Sequence, residues 1–255
     1  MILDPCLSTA PELLPLEQHA YGVAQILREP QVFEDDTATW LELAAGLTDV
    51  SINLQRYDTQ SIMCGAAFRY FEGKSIAAET LLVEVTRFQF IWGAFEAYVG
   101  DRLPHGKVTE ARNQLALFQE VLELPSHFDC AAAELKWHVS RSEEHCKLSE
   151  LFSDGPLNPG LMLFIVSKMR NKMAHGALRL PEPRGDGGSP LPACALLRTA
   201  SRIVLFVIQM LDTIAHRDRG ILMMYSMSNY EGESVDDYPY EKGIAYAHLC
   251  PVWYD

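Results

Sequence analysis

LMLFIVSKMRNKMAHG, residues 161–176, is the stretch that decides the fold of this chain. Its first six residues are apolar, which is typical of the buried start of a helix. It ends at Gly176, a residue suited to the left-handed turn that closes helices. Arg170, Asn171 and His175 therefore belong to the last turns of a mostly buried helix.

The positions of these polar residues around the helix predict how they act together. Successive residues turn by about 100°, so Asn171 and His175, four apart, share a face on which the amide can hold the imidazole ring by a hydrogen bond. Arg170 lies about 140° from His175 around the helix axis. One copy of the helix therefore does not direct both side chains to one point, whereas two packed copies can line a shared cleft with them.

The length and charge of the chain limit its classes of function. Its 255 residues suit one large domain or a core with appendages, and a hydrophobic content of 48% is ample for a core. The net charge is −13 and the pI is near 5.0. Because proteins that coat nucleic acids need a basic face, bulk nucleic-acid binding is not expected, and only a small RNA contact at a local basic patch fits.

Cysteine usage and hydropathy predict a cytoplasmic protein. Six cysteines are scattered without a Cys-x-x-Cys pair, which favours reduced thiols. The N-terminal residues have no basic segment followed by a long apolar stretch, so secretion is not expected. No run approaches the ~20 apolar residues of a membrane helix, so we expect no membrane partner.

Breaks in the hydrophobic pattern predict an N-terminal helical extension over residues 1–74. Residues 1–17 contain three prolines and are expected to form an irregular arm. Apolar and polar residues alternate over 50–56, which fits a strand as well as a helix. The predicted helices of the extension lie at about 17–28, after the cap cluster at 35–37, and at 58–72, with an end near Gly73.

Residues 75–218 are predicted to form a mainly α, antiparallel bundle, followed by a small C-terminal appendage over 219–255. In the appendage, residues 221–225 and 243–247 have the pattern of a β-hairpin. The loop at 180–192, rich in Pro and Gly, is either a lid or a plain connector. Five bundle helices are predicted, at about 76–100, 109–123, 126–151, 160–175 and 193–216. The third begins at either Ser126 or Asp129.

Two segments of the chain resemble HEPN domains (higher eukaryotes and prokaryotes nucleotide-binding). Arg-Asn-x-x-x-His followed by Gly, at residues 170–176, is similar to the Arg-x4–6-His signature of that family. RFQFIWGAFEAY, residues 87–98, is similar to the aromatic first helix of several HEPN families. Together the two matches cover residues 75–218 and leave both ends of the chain uncovered.

The resemblance implies a homodimer that forms through the motif helices and a metal-independent endoribonuclease activity without cofactors. It assigns His175 as general base or acid, Arg170 as phosphate binder and Asn171 as orienting residue. The expected products carry a 2′,3′-cyclic phosphate and a 5′-hydroxyl. By analogy with the family, the substrate is RNA, for example tRNA, in a defence or toxin system with an antitoxin or activator partner.

The residue types of the motif suit this chemistry. RNA cleavage without a metal needs a base for the 2′-hydroxyl proton, a cation for the phosphate and an acid for the leaving oxygen. Histidine, with an ordinary pKa of about 6.5, fits the first or the last role. Arginine stays charged and donates two hydrogen bonds to phosphate oxygens.

The charges around the motif favour an anionic ligand. Residues 168–184 contain five Lys or Arg and one acid, in a chain with 34 acids and 21 bases. Lys168, Lys172 and Arg179 are therefore predicted to bind substrate. The alternative is that these cations only offset the dipole at a helix carboxyl end.

Three further features have open interpretations. Glu96, in the aromatic segment, either orients Arg170 or His175 or is an ordinary solvated glutamate, and Arg87 is a weaker candidate. The His and Cys residues between His127 and Cys146 do not have the spacing of a zinc site, so no metal is expected. The alternative functions are a non-catalytic HEPN module that binds a nucleotide, RNA or protein partner, and a purely structural helical dimer.

Overall fold

The part of the chain that the structure describes contains seven α-helices. The computed structural model describes residues 13–28, 36–53, 65–103, 106–118, 124–142, 146–152, 157–176, 191–216, 222–223, 238–239, 244 and 247–248. The helices are α1 Leu16–Arg28, α2 Asp36–Gly46, α3 Gly65–Arg102, α4 Val108–Leu117, α5 Phe128–Arg141, α6 Pro159–Ala174 and α7 Leu191–His216. A 3₁₀ helix spans Cys146–Leu151. The predicted mainly α class is confirmed.

Helix α7 is the centre of the core. It contacts α1, α3, α4, α5 and α6, and its residues 203–208 have no exposure on any side. A helix that is apolar all round must be surrounded by other elements, which explains this position. By length and composition Pro192–His216 would suffice to cross a membrane, contrary to the sequence-based expectation, but most of it is buried inside the fold.

Helix α6 begins and ends where its sequence predicts. The Asn158 side chain accepts hydrogen bonds from the backbone N–H groups of Gly160 (2.7 Å) and Leu161 (3.4 Å), and Pro159 occupies the first turn. This is an N-terminal cap with a proline at a position where no N–H is needed. At the other end, Gly176 has a φ of +75°, which confirms the left-handed turn.

Helix α3 corrects the predicted end of a helix near Gly73. It runs without interruption for 38 residues, from Gly65 to Arg102. An isolated glycine within a helix costs only about 1 kcal/mol, which packing against α2 and α7 can offset. The predicted division between residues 74 and 75 therefore falls inside a helix, and the division into domains stays a prediction.

The third bundle helix is shorter than predicted. Helix α5 ends at Arg141 because Ser142 has an extended backbone (φ −81°, ψ 124°), and the predicted continuation to 151 is instead the 3₁₀ helix. The predicted loop at 180–192 and the arm at 1–17 lie mostly outside the described residues.

The C-terminal pairing also differs from the predicted hairpin. Strand β1 (Leu222–Met223) is antiparallel to β2 (Tyr238–Pro239), whereas the predicted partner segment, 243–247, lies mostly outside the described residues. Ile244 is fully buried, and its carbonyl accepts a hydrogen bond from Gln209 of α7. Ile244 and His248 thus pack onto the bundle, where both contact the Gln209 side chain.

The cysteines differ from the prediction of uniformly reduced thiols. Cys130 is disulfide-bonded, whereas Cys194 is a buried free thiol. Burial raises the pKa of the Cys194 thiol to about 11. The disulfide at Cys130 therefore weakens the argument for a reducing compartment that rests on the absence of a Cys-x-x-Cys pair.

Candidate functional site

The three motif residues lie at the carboxyl end of α6 and differ in exposure. Arg170 is half-buried, whereas Asn171 and His175 are exposed. His175 is the C-cap residue (φ −90°, ψ 16°), and its backbone N–H donates to the Asn171 carbonyl at 3.1 Å. The imidazole is therefore carried by a fixed backbone and is accessible to a ligand.

Arg170 reaches from α6 to the aromatic segment of α3. Its Nη2 atom lies 3.5 Å from Oε1 of Glu96, and its Cζ atom lies 6.0 Å from the centroid of the Trp92 ring. The buried Nε atom of Arg170 has no hydrogen-bond partner among the described residues. Glu96 and Trp92 thus hold the guanidinium on a surface formed by two helices.

The Glu96–Arg170 ion pair positions the guanidinium more than it stabilises the fold. The Arg170 and Glu96 side chains are 31% and 49% exposed. Exposed pairs of this kind contribute about 0–1 kcal/mol, because water screens the charges. A phosphate group can therefore compete for Arg170 without a large loss of stability.

Asn171 contacts Arg170 rather than the His175 ring. Its Oδ1 atom accepts a hydrogen bond from Nη1 of Arg170 at 3.4 Å. Within the described part of the chain, no hydrogen bond joins the Asn171 and His175 side chains. Arg170 and His175 are likewise not in contact there, in keeping with their separation of about 140° around the helix.

The predicted substrate-binding cations lie along α6 as far as they are described. Lys168 is exposed, and its Nζ atom lies 5.1 Å from the centroid of the Phe164 ring. Lys172 is half-buried on the last turn of α6. Arg179 lies outside the described residues.

Trp92 is a site residue that the sequence reasoning did not single out. A signal was present, because Trp92 precedes Glu96 by four residues and so shares its face of α3. An aromatic ring on that face offers an arginine a cation–π contact in addition to the carboxylate.

Arg87, the weakest sequence-based candidate, belongs to a buried structural cluster. Its Nη1 atom is 2.9 Å from Glu84 and 3.2 Å from Glu17, and its Nε and Nη2 atoms donate to the carbonyls of Ala44 and Leu47. The guanidinium is occupied by packing α1, α2 and α3 together and has no free donor fork for a ligand.

A second buried cluster joins α1, α7 and the C-terminal segment. The His19 Nε2 atom lies 2.9 Å from Oε1 of Gln209, and the Gln209 amide also contacts His248 Nδ1 at 3.3 Å. His248 Nε2 lies 3.0 Å from the Ser126 hydroxyl. Burial lowers the pKa of His19 well below its ordinary value and the pKa of His248 to about 4. Both rings are neutral at pH 7 and serve as hydrogen-bonding groups.

No metal site is evident in the described part of the chain. No group of three His, Cys, Asp or Glu side chains there has the arrangement that holds a metal ion. Of the residues considered for zinc, His138 instead lies 3.5 Å from Glu134, and His145 lies outside the described residues.

Comparison with known proteins gives no family for the chain. No protein-family model matches the sequence, and no curated protein or solved structure matches it. The chemistry of the site therefore rests on its residues: a half-buried arginine on Glu96 and Trp92, an exposed histidine one turn further, and additional lysines on the same helix.

Proposed function

We propose that this protein is a metal-independent endoribonuclease that acts as a homodimer through the Arg170 and His175 side chains. The observation that carries the proposal is the placement of the Arg170 guanidinium against Glu96 and Trp92, on the helix that also carries an accessible His175 at its carboxyl end. A positioned cation and a titratable imidazole are what transesterification of RNA requires.

In the proposed reaction, His175 accepts the proton of the 2′-hydroxyl or donates one to the leaving 5′-oxygen, and solvent exchanges the other proton. Arg170 binds the phosphate as negative charge builds on its oxygens, and Asn171 orients Arg170 through their hydrogen bond. Attack of the 2′-oxygen on phosphorus breaks the bond to the 5′-oxygen. The products are a 2′,3′-cyclic phosphate and a 5′-hydroxyl.

The dimer is part of the proposal because of the directions of the two side chains. Within one chain, Arg170 extends to α3 and His175 lies about 140° around α6. If a second copy packs on this end of α6, each centre can combine Arg170 of one protomer with His175 of the other. The acidic chain, with a net charge of −13, favours a narrow substrate such as a tRNA loop over bulk RNA.

The biological setting follows by analogy with HEPN nucleases. We place the activity in the cytoplasm, in a defence or toxin system, under control of an antitoxin or activator. A nuclease without such control would degrade the RNA of its own cell. The second candidate is a non-catalytic module, favoured by the existing Glu96–Arg170 ion pair, which leaves Arg170 directed away from His175.

The decisive experiment incubates the purified protein with total RNA and with a tRNA pool in excess EDTA, followed by mapping of the product ends. His175→Ala is the test variant, and His138→Ala on α5 is the control substitution of a histidine outside the motif. Cleavage to cyclic phosphate ends by the wild type and His138→Ala, but not by His175→Ala, would support the nuclease. RNA binding without any product would favour the binding module, and neither binding nor cleavage would refute both.

A further inference from the structure

Two cations from different helices converge on one aromatic ring of α6, the helix that carries the proposed centre. The Arg112 Cζ atom, from α4, lies 4.4 Å from the centroid of the Phe164 ring, and the Lys168 Nζ atom lies 5.1 Å from it. Two like charges near one ring repel each other, and an anion between or beside them would offset that repulsion. The pair is therefore suited to an anionic group.

No described carboxylate supplies that anion. Neither Arg112 nor Lys168 forms an ion pair with the residues that the structure describes, whereas Arg28, Arg87, Arg102, Arg170 and Arg198 all do. The Nε atom of Arg112 is buried and has no hydrogen-bond partner among the described residues. Other described cations, such as Lys136 and Arg141, also lie over aromatic rings without an ion pair to a described residue, so Arg112 and Lys168 differ from them in sharing one ring and in the buried Nε atom of Arg112.

The backbone around this pair is fixed. A Cβ atom on Gly160 would lie 3.5 Å from the Arg112 carbonyl and 3.1 Å from the Asn158 side chain, so α4 and the start of α6 approach closely. Phe164 is half-buried, and the charged groups of both cations lie over its ring. The cationic pair is thus presented by two packed helices.

The pair lies in line with the proposed catalytic residues. At 100° per residue, Phe164, Lys168, Asn171 and His175 fall within about 60° of one another on the face of α6 opposite its core residues. With a rise of 1.5 Å per residue, the stripe from Phe164 to His175 is about 16 Å long. At the ~3.4 Å rise of a stacked strand, this length corresponds to about five nucleotides.

We infer that Arg112 and Lys168, supported by Phe164, form a phosphate-binding subsite for a single-stranded RNA that extends along α6 from the centre at His175. The inference rests on the proposed function for the identity of the strand. The subsite holds a phosphate several nucleotides from the scissile bond, so it favours RNA strands longer than a dinucleotide. Arg112 and Phe164 are then binding residues that the motif does not include.

Binding is measured by fluorescence anisotropy with a labelled 12-nucleotide 2′-O-methyl RNA, which lacks the nucleophile and cannot be cleaved. The variants are Arg112→Gln and Lys168→Gln, and the control is Lys147→Gln, an exposed lysine on the 3₁₀ helix. Loss of a charged hydrogen bond to phosphate predicts about tenfold weaker binding for each variant. The slope of log K against log salt should fall by about 0.7, the value for one single-strand phosphate.

The outcomes separate the subsite from the nuclease. If RNA is cleaved but Arg112→Gln and Lys168→Gln bind the 12-mer as Lys147→Gln does, the subsite is refuted and the nuclease stands. If both variants weaken binding but no RNA is ever cleaved, the subsite is supported and the nuclease proposal is refuted. If the wild type does not bind the 12-mer, the subsite is refuted. Lys168 is exposed, so Lys168→Gln keeps the test valid even if Arg112→Gln misfolds.

Discussion

The Nη1 atom of Arg102 lies 2.6 Å from Oδ1 of Asp212, a carboxylate with no solvent exposure. The Tyr98 hydroxyl donates to the same oxygen at 3.2 Å, and Nδ1 of His216 lies 3.3 Å from Oδ2. This cluster joins the carboxyl ends of α3 and α7. The cluster therefore anchors the end of the helix that bears Glu96.

Asp212→Ala is expected to destabilise the protein strongly. The substitution leaves Arg102 and Tyr98 without their buried acceptor, and removing one member of a buried ion pair costs about 3–5 kcal/mol. Urea unfolding monitored by circular dichroism measures the difference. Asp101→Asn, at the exposed neighbour of Arg102, should change the free energy of unfolding by less than about 0.5 kcal/mol. Equal effects at the two positions would contradict the assigned role.

His216 is expected to stabilise the fold most at low pH. Hydrogen bonding to Asp212 raises the pKa of His216 above its ordinary 6.5. Its contribution is fully present below pH 6.5 and is lost as the pH rises through the folded pKa. Compared with the wild type, His216→Gln should therefore lower Tm more at pH 6 than at pH 8.5, in thermal scans at constant ionic strength. The reverse order would show that the ring is neutral when folded.

His248 affects stability in the opposite direction with pH, so we expect it to lower the stability of the fold in acid. Burial lowers its pKa to about 4, so between pH 6.5 and 4 the unfolded chain binds a proton that the folded chain does not. This difference in proton binding lowers the free energy of unfolding by roughly 3 kcal/mol between pH 6.5 and 4. His19, Arg202 and His127 face the same cluster and add no compensating negative charge.

The measurement for His248 is urea unfolding at pH 7 and at pH 5. His248→Gln should be less stable than the wild type at pH 7 but should lose less stability on acidification. A variant that loses as much as the wild type would assign the acid sensitivity to other groups, with His19→Gln as the next to examine.

Two glycine substitutions are expected to act in opposite directions. A Cβ atom on Gly22 of α1 would lie 2.9 Å from the Ala247 carbonyl oxygen, a backbone atom that cannot easily move. Gly22→Ala should therefore cost about 1–3 kcal/mol. A Cβ atom on Gly100 of α3 meets nothing within 4 Å, so Gly100→Ala should stabilise by about 0.5 kcal/mol through helix propensity. Differential scanning calorimetry of both variants tests the contact between α1 and the C-terminal segment.

The proposed dimer predicts complementation between two inactive variants. If each centre takes Arg170 from one protomer and His175 from its partner, a heterodimer of Arg170→Ala and His175→Ala contains one intact centre. Unfolding and refolding an equimolar mixture should then restore about a quarter of wild-type cleavage, since half the dimers are mixed and half their centres are intact. Each variant refolded alone is the control, and a mixture as inactive as either would argue for centres within single protomers.

Local patterns of the sequence predicted the helices well wherever a cap or a break is encoded. Gly176 closes α6 as predicted, and the apolar pattern over 193–216 predicts α7, because these signals act within a few residues. The predicted stop near Gly73 failed because packing against α2 and α7 outweighs the small helix propensity of glycine.

The candidate site was predicted in its residue types and only partly in its contacts. The spacing of Arg170, Asn171 and His175 placed them on the last turns of a helix, and helical geometry gave their directions. The contact of Arg170 with Trp92 and the convergence of Arg112 on Phe164 join residues far apart in the chain. Helical periodicity says which face a residue is on, and it does not say which helix packs against that face.

The sequence by itself determined the mainly helical class, the bounds of α6 and the residue types at its end, because helix propensity, capping and periodicity are local. Only the tertiary structure decided that Glu96 holds Arg170 and that Arg112 and Lys168 share one ring. It also decided that Gln209 binds the C-terminal segment. These contacts depend on how helices pack, which is set by the burial of the whole core and the pairing of buried polar groups, and no short stretch of sequence encodes it.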